Sequence, residues 1–182
     1  MRTKIRQMIS AIDPLDAMEA RHRAFSQAWI DSGADLFRVA KPATPDPHLV
    51  AYFLLVDDQH FLLVDHINAE LWLPTGGHVE PDEHPKETVS RELREELGIE
   101  AVFLRQNPLF VSVTETVGKT SGHTDVSLWF ALQGNEETQL RFDASEFRGV
   151  HWFRRLDAPL HRTDPHMERF LKKLYGGHCK LP

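Results

Sequence analysis

Cysteine, long apolar runs and an excess of positive charge are all scarce or missing in this 182-residue sequence. The one cysteine, Cys179, cannot form a disulfide within the chain, which is compatible with a reducing compartment. The longest uninterrupted apolar run covers eight residues, 49–56, whereas a membrane-spanning helix needs about 20. The N-terminus also lacks the apolar core and small-residue cleavage site of a secretory signal. We therefore expect a cytoplasmic protein that does not cross a membrane.

The charge balance is acidic, with a formal net charge of −6. Residues 77–99 carry seven acids against three bases, so this stretch alone contributes −4. A nucleic-acid surface needs clustered basic residues, and none is expected here. The eleven histidines form no H-x3-H pattern, and a C-x2-C pair is impossible with one cysteine. On local spacing, a zinc site is not expected.

The acids of this stretch are arranged on a predicted helix. Three glutamates at positions i, i+3 and i+4 share one face: Glu92, Glu95 and Glu96. Apolar residues four apart form a neighbouring stripe that can anchor the helix on a core: Val89, Leu93 and Leu97. Like charges at this spacing destabilise a bare helix by roughly 0.2–0.5 kcal/mol per pair. Arg91 and Arg94 can offset part of that repulsion, and a hard divalent cation such as Mg²⁺ would offset more.

The whole stretch resembles the Nudix hydrolases, whose signature is G-x5-E-x7-R-E-U-x-E-E-x-G-U, where U is apolar. Every fixed position of that signature is filled in this sequence: Gly77, Glu83, Arg91, Glu92, Leu93, Glu95, Glu96, Gly98 and Ile99. Taken alone, the R-E-L-R-E-E string would be read as a solvated helix carrying ion pairs. Nine matched positions over 23 residues favour the Nudix interpretation instead.

The resemblance implies a metal-dependent active site. Mg²⁺ or Mn²⁺ would be held by the Gly77 carbonyl together with the three helix acids Glu92, Glu95 and Glu96. Glu92 is also a candidate base, and the catalytic set is Arg91, Glu92 and Glu95, with Arg91 orienting a glutamate through an ion pair. Glu83 would have a supporting role. Nudix enzymes often recruit one more carboxylate from a late loop, and this sequence leaves four choices open: Glu136, Glu137, Asp143 and Glu146.

The pattern of short strands around one central helix predicts a mixed sheet between helical layers, which agrees with the α/β/α sandwich that the resemblance implies. Strands are predicted at 48–57, 60–67, 71–73, 101–117, 124–132 and 149–153, and a closing helix is predicted after Asp164-Pro165. The expected division is an N-terminal helical extension at 1–41, a proline-rich connector at 42–47, a Nudix domain at 48–176 and a tail at 177–182. The loop at 118–123 is interpreted as a plain hairpin turn in preference to a loop that contacts the substrate.

The extension itself is predicted to contain two helices. The first buries a stripe formed by Ile5, Met8, Ile9 and Ile12. The second is predicted to begin at Asp13-Pro14 and to bury Leu15, Met18, His22, Phe25 and Trp29. Packing against the following domain is the favoured role of this pair, and a dimer contact or a substrate lid stays open.

The predicted function is hydrolysis of a diphosphate linkage in a nucleoside diphosphate or triphosphate derivative. The expected partner is a small-molecule diphosphate substrate, and a homodimer is possible. The main alternative is a Nudix domain that binds a ligand without hydrolysing it, as a sensor or transcriptional regulator. Isopentenyl diphosphate isomerases share the fold but would need a cysteine near the sheet, and Cys179 lies in the tail.

Overall fold

The computed structural model describes residues 1–39, 45–117 and 122–178, so part of the connector at 42–47, the loop at 118–123 and the tail lie outside the described residues. Its α-helices are α1 (Arg2–Ser10), α2 (Ala17–Asp31), α3 (Pro85–Leu97) and α4 (Met167–Lys173). Its strands are β1 (His48–Val56), β2 (His60–His66), β3 (Leu71–Leu73), β4 (Thr75–His78), β5 (Phe110–Glu115), β6 (Thr124–Gln133) and β7 (Phe147–Arg154). A π-helical turn, Leu174–His178, continues α4.

The strands form one mixed sheet around β1. Strand β1 runs parallel to β6 along its whole length, from His48 opposite Asp125 to Val56 opposite Gln133. On its other edge β1 pairs antiparallel with β4 and then, at its end, with β2. Strands β3 and β7 add to β2, and β5 pairs antiparallel with β6 at the far edge. Near-continuous apolar runs in β1 and β6 suit strands that are buried on both faces.

Helices cover both faces of this sheet. One apolar cluster joins the α3 residues Val89 and Leu93 to Ile5 and Ile9 of α1 and to Phe53 of β1. The cluster on the opposite face joins α4 to the sheet through Phe170, Leu171, Phe110, Trp129 and Leu54. The predicted mixed sheet between helical layers, with N-terminal helices, is therefore confirmed. The boundary between extension and domain stays a prediction.

The N-terminal helices pack onto this core, and α2 departs from its sequence pattern. The predicted start at Asp13-Pro14 is wrong, because Asp16 caps the helix by accepting hydrogen bonds from the backbone N–H groups of Met18 and Glu19. The predicted stripe is also wrong in part, since Met18 and Phe25 are 41% and 46% exposed. The buried residues of α2 are instead Glu19, Ser26, Trp29 and Ile30.

A buried ion pair explains why α2 turns this face inwards. Glu19 is fully buried, and its Oε1 accepts a hydrogen bond from Lys173 Nζ of α4 at 2.7 Å. The same carboxylate accepts hydrogen bonds from the backbone N–H groups of Leu15, at 2.6 Å, and of Val111 in β5, at 3.4 Å. Glu19 thus ties the extension to the edge strand and to the closing helix. Capping an exposed strand edge in this way also blocks pairing with other chains.

Within residues 1–39, 45–117 and 122–178, every helix is too short or too polar to cross a membrane.

Candidate active site on helix α3

Helix α3 has well-defined ends. His84 caps it: its ring nitrogen accepts from the Lys86 N–H, while the Glu87 carboxylate accepts from the His84 N–H. Pro85 occupies the first turn, where its missing N–H costs no hydrogen bond. Gly98 ends the helix in the left-handed conformation, at φ 71°. The apolar residues Val89, Leu93 and Leu97 are completely buried, so the predicted anchoring stripe fixes the orientation of the acidic face.

Two glycines of β4 allow the sheet to approach that acidic face. A Cβ atom added to Gly77 would lie 1.9 Å from Glu92 Oε1, so the Glu92 carboxylate would have to move away. A Cβ atom on Gly76 would lie 2.4 Å from the backbone oxygen of Ala51 on β1. The Gly76 N–H faces the Glu96 carboxylate and acts to lower its pKa against the larger effect of burial. The glycine pair therefore brings the backbone of β4 against two of the three helix acids.

Arg91 connects helix α3 to the loop at residues 79–84 that precedes it, here named the box loop. Its guanidinium donates a bidentate pair of hydrogen bonds to Glu83, at 3.0 and 3.1 Å, and a further one to Glu92 Oε1 at 2.7 Å. It also donates to the His78 carbonyl oxygen at 3.3 Å and lies 3.5 Å from a Glu95 oxygen. Glu83 itself accepts from the Thr88 hydroxyl and the Glu80 N–H. The side chain of Glu83 thus holds Arg91, and Arg91 in turn holds Glu92.

The three helix acids differ in burial. Glu96 is only 6% exposed, Glu92 has a side chain 15% exposed, and Glu95 has one 62% exposed. Burial raises the pKa of Glu92, and Arg91 opposes that rise. Burial also raises the pKa of Glu96 well above its ordinary value, with the charges of Glu92 and Glu146 adding to the effect. Carboxylates crowded and buried in this way are electrostatically unfavourable unless a cation joins them.

Glu96 also offers a direct test of fit to a cation. Its Oε2 atom is buried and makes no hydrogen bond to any of the described residues. A buried carboxylate oxygen without a donor is costly, and hard divalent ions such as Mg²⁺ bind such oxygens. The chemistry of the donors Glu92, Glu95 and Glu96 therefore suits a divalent metal ion, although one oxygen from each of the three does not lie within 4.8 Å of those of the other two.

Among the four candidate acids of the loop between β6 and β7, Glu146 is the one whose charge affects the carboxylates of α3. It contributes to the raised pKa of both Glu92 and Glu96. Asp143 instead closes a turn by accepting hydrogen bonds from Ser145, and Glu136 pairs with His60 at the β1–β2 turn. The sequence could not single out Glu146 among the four acids. Its position depends on the path of the loop between β6 and β7, which passes the C-terminal end of α3. Part of that path is fixed by a hydrogen bond from the Asp143 N–H to the Glu96 carbonyl oxygen, at 3.2 Å.

Comparison with known proteins agrees with this architecture. A family model described as the NUDIX domain matches residues 46–174. A NUDIX-family hydrolase from Clostridium perfringens superposes with a TM-score of 0.57 at 20% identity, over 71% of this chain and 96% of that one. A MutT protein from Methanosarcina mazei Go1 gives a TM-score of 0.56 at 21% identity, over 72% and 95%. The dihydroneopterin triphosphate pyrophosphohydrolase of E. coli gives 0.54 at 16% identity, over 70% and 92%. A search of curated proteins found no match.

The structural likenesses, all at low identity, show the shared fold, whereas the family match covers most of the chain. That match contains the complete signature, from Gly77 to Ile99. The chain therefore belongs to the NUDIX family, as a hydrolase of that class.

Proposed function

We propose that this protein hydrolyses a diphosphate linkage in a nucleoside diphosphate or triphosphate derivative, using Mg²⁺ or Mn²⁺ held by Glu92, Glu95 and Glu96. The observation that carries the proposal is the buried carboxylate of Glu96, whose Oε2 has no donor among the described residues and whose neighbours are also acids. The absence of a Cβ at Gly77 leaves the backbone accessible beside Glu92, and the Gly77 carbonyl is proposed as a further ligand.

Each side chain of the proposed site has a separate role. A bound divalent ion would neutralise phosphate oxygen charge and lower the pKa of a bound water. Glu92, held by Arg91 at 2.7 Å, is the proposed base that takes a proton from the attacking water. Arg91 orients Glu92, and Glu83 keeps Arg91 in place through two hydrogen bonds. Glu95, the most exposed of the three helix acids, is the ligand nearest to solvent and therefore to an arriving substrate.

The identity of the substrate is tested with a panel. Pyrophosphate or phosphate release would be measured for nucleoside triphosphates, ADP-ribose, nucleotide sugars and dinucleoside polyphosphates, each with Mg²⁺ or Mn²⁺. Dihydroneopterin triphosphate belongs on the panel because one structural neighbour is a pyrophosphohydrolase of that compound. Metal-dependent release from a nucleoside diphosphate or triphosphate derivative supports the proposal. Binding of a panel member without any release would favour the sensor alternative. Cytoplasmic location and dimer formation stay predictions.

Glu146 is the proposed additional carboxylate, as a metal ligand or base. We expect Glu146→Gln to lower turnover by about 10–100-fold, the range typical for the loss of a group that supports a metal site. Asp143→Asn is the matched control, since Asp143 lies in the same segment, is exposed, and already accepts a hydrogen bond from the Ser145 N–H. Steady-state rates on the best panel substrate would be compared for both variants. Equal turnover rates for the two variants would show that Glu146 is not part of the active site.

A further inference from the structure

Three histidines and an aspartate that no part of the proposed mechanism uses converge at one end of the sheet. His48 begins β1, His78 ends β4, His123 directly precedes β6, and Asp125 is the second residue of β6. One ligand atom from each of these residues lies within 4.8 Å of those of the other three. The parallel register of β1 and β6 places His48 directly opposite Asp125. Local spacing gives no hint of this cluster, because its members come from three strands separated by up to 77 positions.

Hydrogen bonds to the far side of two rings fix their tautomers. His48 Nδ1 lies 3.0 Å from the Pro45 carbonyl oxygen, which can only accept, so Nδ1 carries the proton. His123 Nδ1 lies 3.2 Å from Thr116 Oγ1, and that hydroxyl donates its hydrogen to the His123 carbonyl oxygen at 3.1 Å. With the hydroxyl hydrogen directed at that carbonyl oxygen, His123 Nδ1 is the donor to Thr116 Oγ1. Both rings, when neutral, present an Nε2 lone pair on their other side, and metal-binding histidines are commonly held in this way.

The Nε2 atoms of both rings lie close to one carboxylate oxygen. His48 Nε2 lies 3.1 Å from Asp125 Oδ1, and His123 Nε2 lies 3.4 Å from the same oxygen. Neither His48 Nε2 nor Asp125 Oδ1 makes a hydrogen bond within the described part of the chain, although both atoms are buried. The His48 ring is fully buried and Asp125 is 8% exposed. Two acceptors this close in a buried place repel each other, and either a proton on a ring nitrogen or a metal ion shared by the cluster would remove that repulsion.

The two known distances suit a zinc ion. Two ligands bound to Zn²⁺ at about 2.0–2.1 Å with a tetrahedral angle lie about 3.3–3.4 Å apart. The observed separations of 3.1 and 3.4 Å bracket that value. Imidazole nitrogens with one carboxylate are ligands that suit zinc, whereas Mg²⁺ prefers oxygen.

We propose that His48, His78, His123 and Asp125 bind a single Zn²⁺ ion, separate from the metal site of the helix acids. The bound ion would link the first residue of β1, the last residue of β4 and the start of β6. His78 directly follows Gly77, and its carbonyl oxygen accepts a hydrogen bond from Arg91. The zinc ion would thus steady the strand end from which the box loop departs. This proposal does not depend on the proposed hydrolysis.

The chain contains a matched control. A second group that could hold a metal, Asp57, His60 and Glu136, lies at the β1–β2 turn, at the opposite end of β1. Here His60 Nδ1 already contacts both carboxylates, and Glu136 is 43% exposed. A proton on that nitrogen satisfies the group without a metal ion. His60→Gln is therefore a test of non-specific binding by surface histidine.

The experiment measures Zn²⁺ affinity of the full chain by competition with a chromogenic chelator in excess Mg²⁺, and records the visible spectrum after Co²⁺ substitution. We expect one equivalent of tightly bound Zn²⁺ and the d–d bands of a tetrahedral cobalt site. His123→Gln and Asp125→Asn should weaken binding by at least about 10–100-fold, because each removes a ligand. His60→Gln and Glu96→Gln should bind as the wild type does. Circular dichroism of each zinc-free variant shows whether it is folded.

Two results would overturn the proposal. One is the absence of a stoichiometric zinc site in the wild type. The other is a zinc site that survives in folded His123→Gln and Asp125→Asn but is lost in Glu96→Gln or His60→Gln, which would place the ion on the helix acids or at the β1–β2 turn. Since the readout is metal binding, neither result bears on whether the protein hydrolyses diphosphates.

Discussion

Glu96→Gln is expected to lower turnover by at least about 100-fold while leaving the protein folded, because it removes charge from the proposed metal site without creating a cavity. Glutamine keeps the volume of the side chain, and its carbonyl oxygen can still face the Gly76 N–H. Steady-state kinetics on the best panel substrate, with saturating Mg²⁺, provide the measurement. Glu100→Gln is the control, since Glu100 lies just beyond the same helix and is exposed beside Arg94.

The same substitution is expected to raise the stability of the metal-free protein. Burial raises the pKa of Glu96 well above its ordinary value of 4.5, so the ionised form is less favourable in the folded protein than in the unfolded chain. The contribution of Glu96 to the free energy of unfolding is therefore complete below pH 4.5 and is lost as the pH rises through the raised pKa. Urea titrations at several pH values should show this loss in the wild type and a smaller one in Glu96→Gln. Near-normal turnover, or a variant less stable than the wild type at neutral pH, would contradict the assignment.

Glu19→Gln is expected to cost about 3–5 kcal/mol in the free energy of unfolding, because it leaves the ammonium of Lys173 buried without its counter-charge. Lys173 is only 2% exposed, and burial already lowers its pKa against the opposing effect of Glu19. For a chain of this size the loss corresponds to a fall in Tm of roughly 6–20 °C. Urea unfolding at neutral pH gives the free energy directly, and a thermal scan gives the fall in Tm.

Two further variants show whether the pair itself is responsible. Asp31→Asn breaks an exposed ion pair with Arg6 in the same extension and should cost much less. The double variant Glu19→Gln/Lys173→Met should recover most of the lost stability, since no buried charge is left unpaired. A single variant no less stable than Asp31→Asn would show that α2 is not held by this contact. The N-terminal helices would then be better candidates for a movable lid.

The sequence predicted the fold where periodicity alone decides it. The stripes of α1 and α3 and the strands β1, β2 and β6 are close to their predicted bounds, since burial on a regular element follows the period of its apolar residues. The inward face of α2 was mispredicted, because a buried Glu19 is stable only when a partner from α4 is present. That partner is 154 positions away in the chain, and no local pattern reports it.

The candidate site shows the same division. The shared face of Glu92, Glu95 and Glu96 follows from helical spacing, whereas the contact between Arg91 and Glu83 depends on the path of the loop that precedes α3. Glu146 comes close to the helix acids only because the loop between β6 and β7 passes the end of α3. The sequence offered four acids in that loop and no reason to choose among them. The histidine cluster depends entirely on strand register, which is why spacing along the chain argued against zinc.

The most direct test of the proposed metal-dependent hydrolysis is turnover of the best panel substrate as a function of Mg²⁺ concentration, after removal of metal with a chelator. We expect no turnover without added metal, full recovery with Mg²⁺ or Mn²⁺ in the wild type, and a weaker metal response with a much lower maximum in Glu96→Gln. Turnover by the chelated wild type at its usual rate would contradict metal-dependent hydrolysis, because the reaction would then proceed with no ion held by the helix acids.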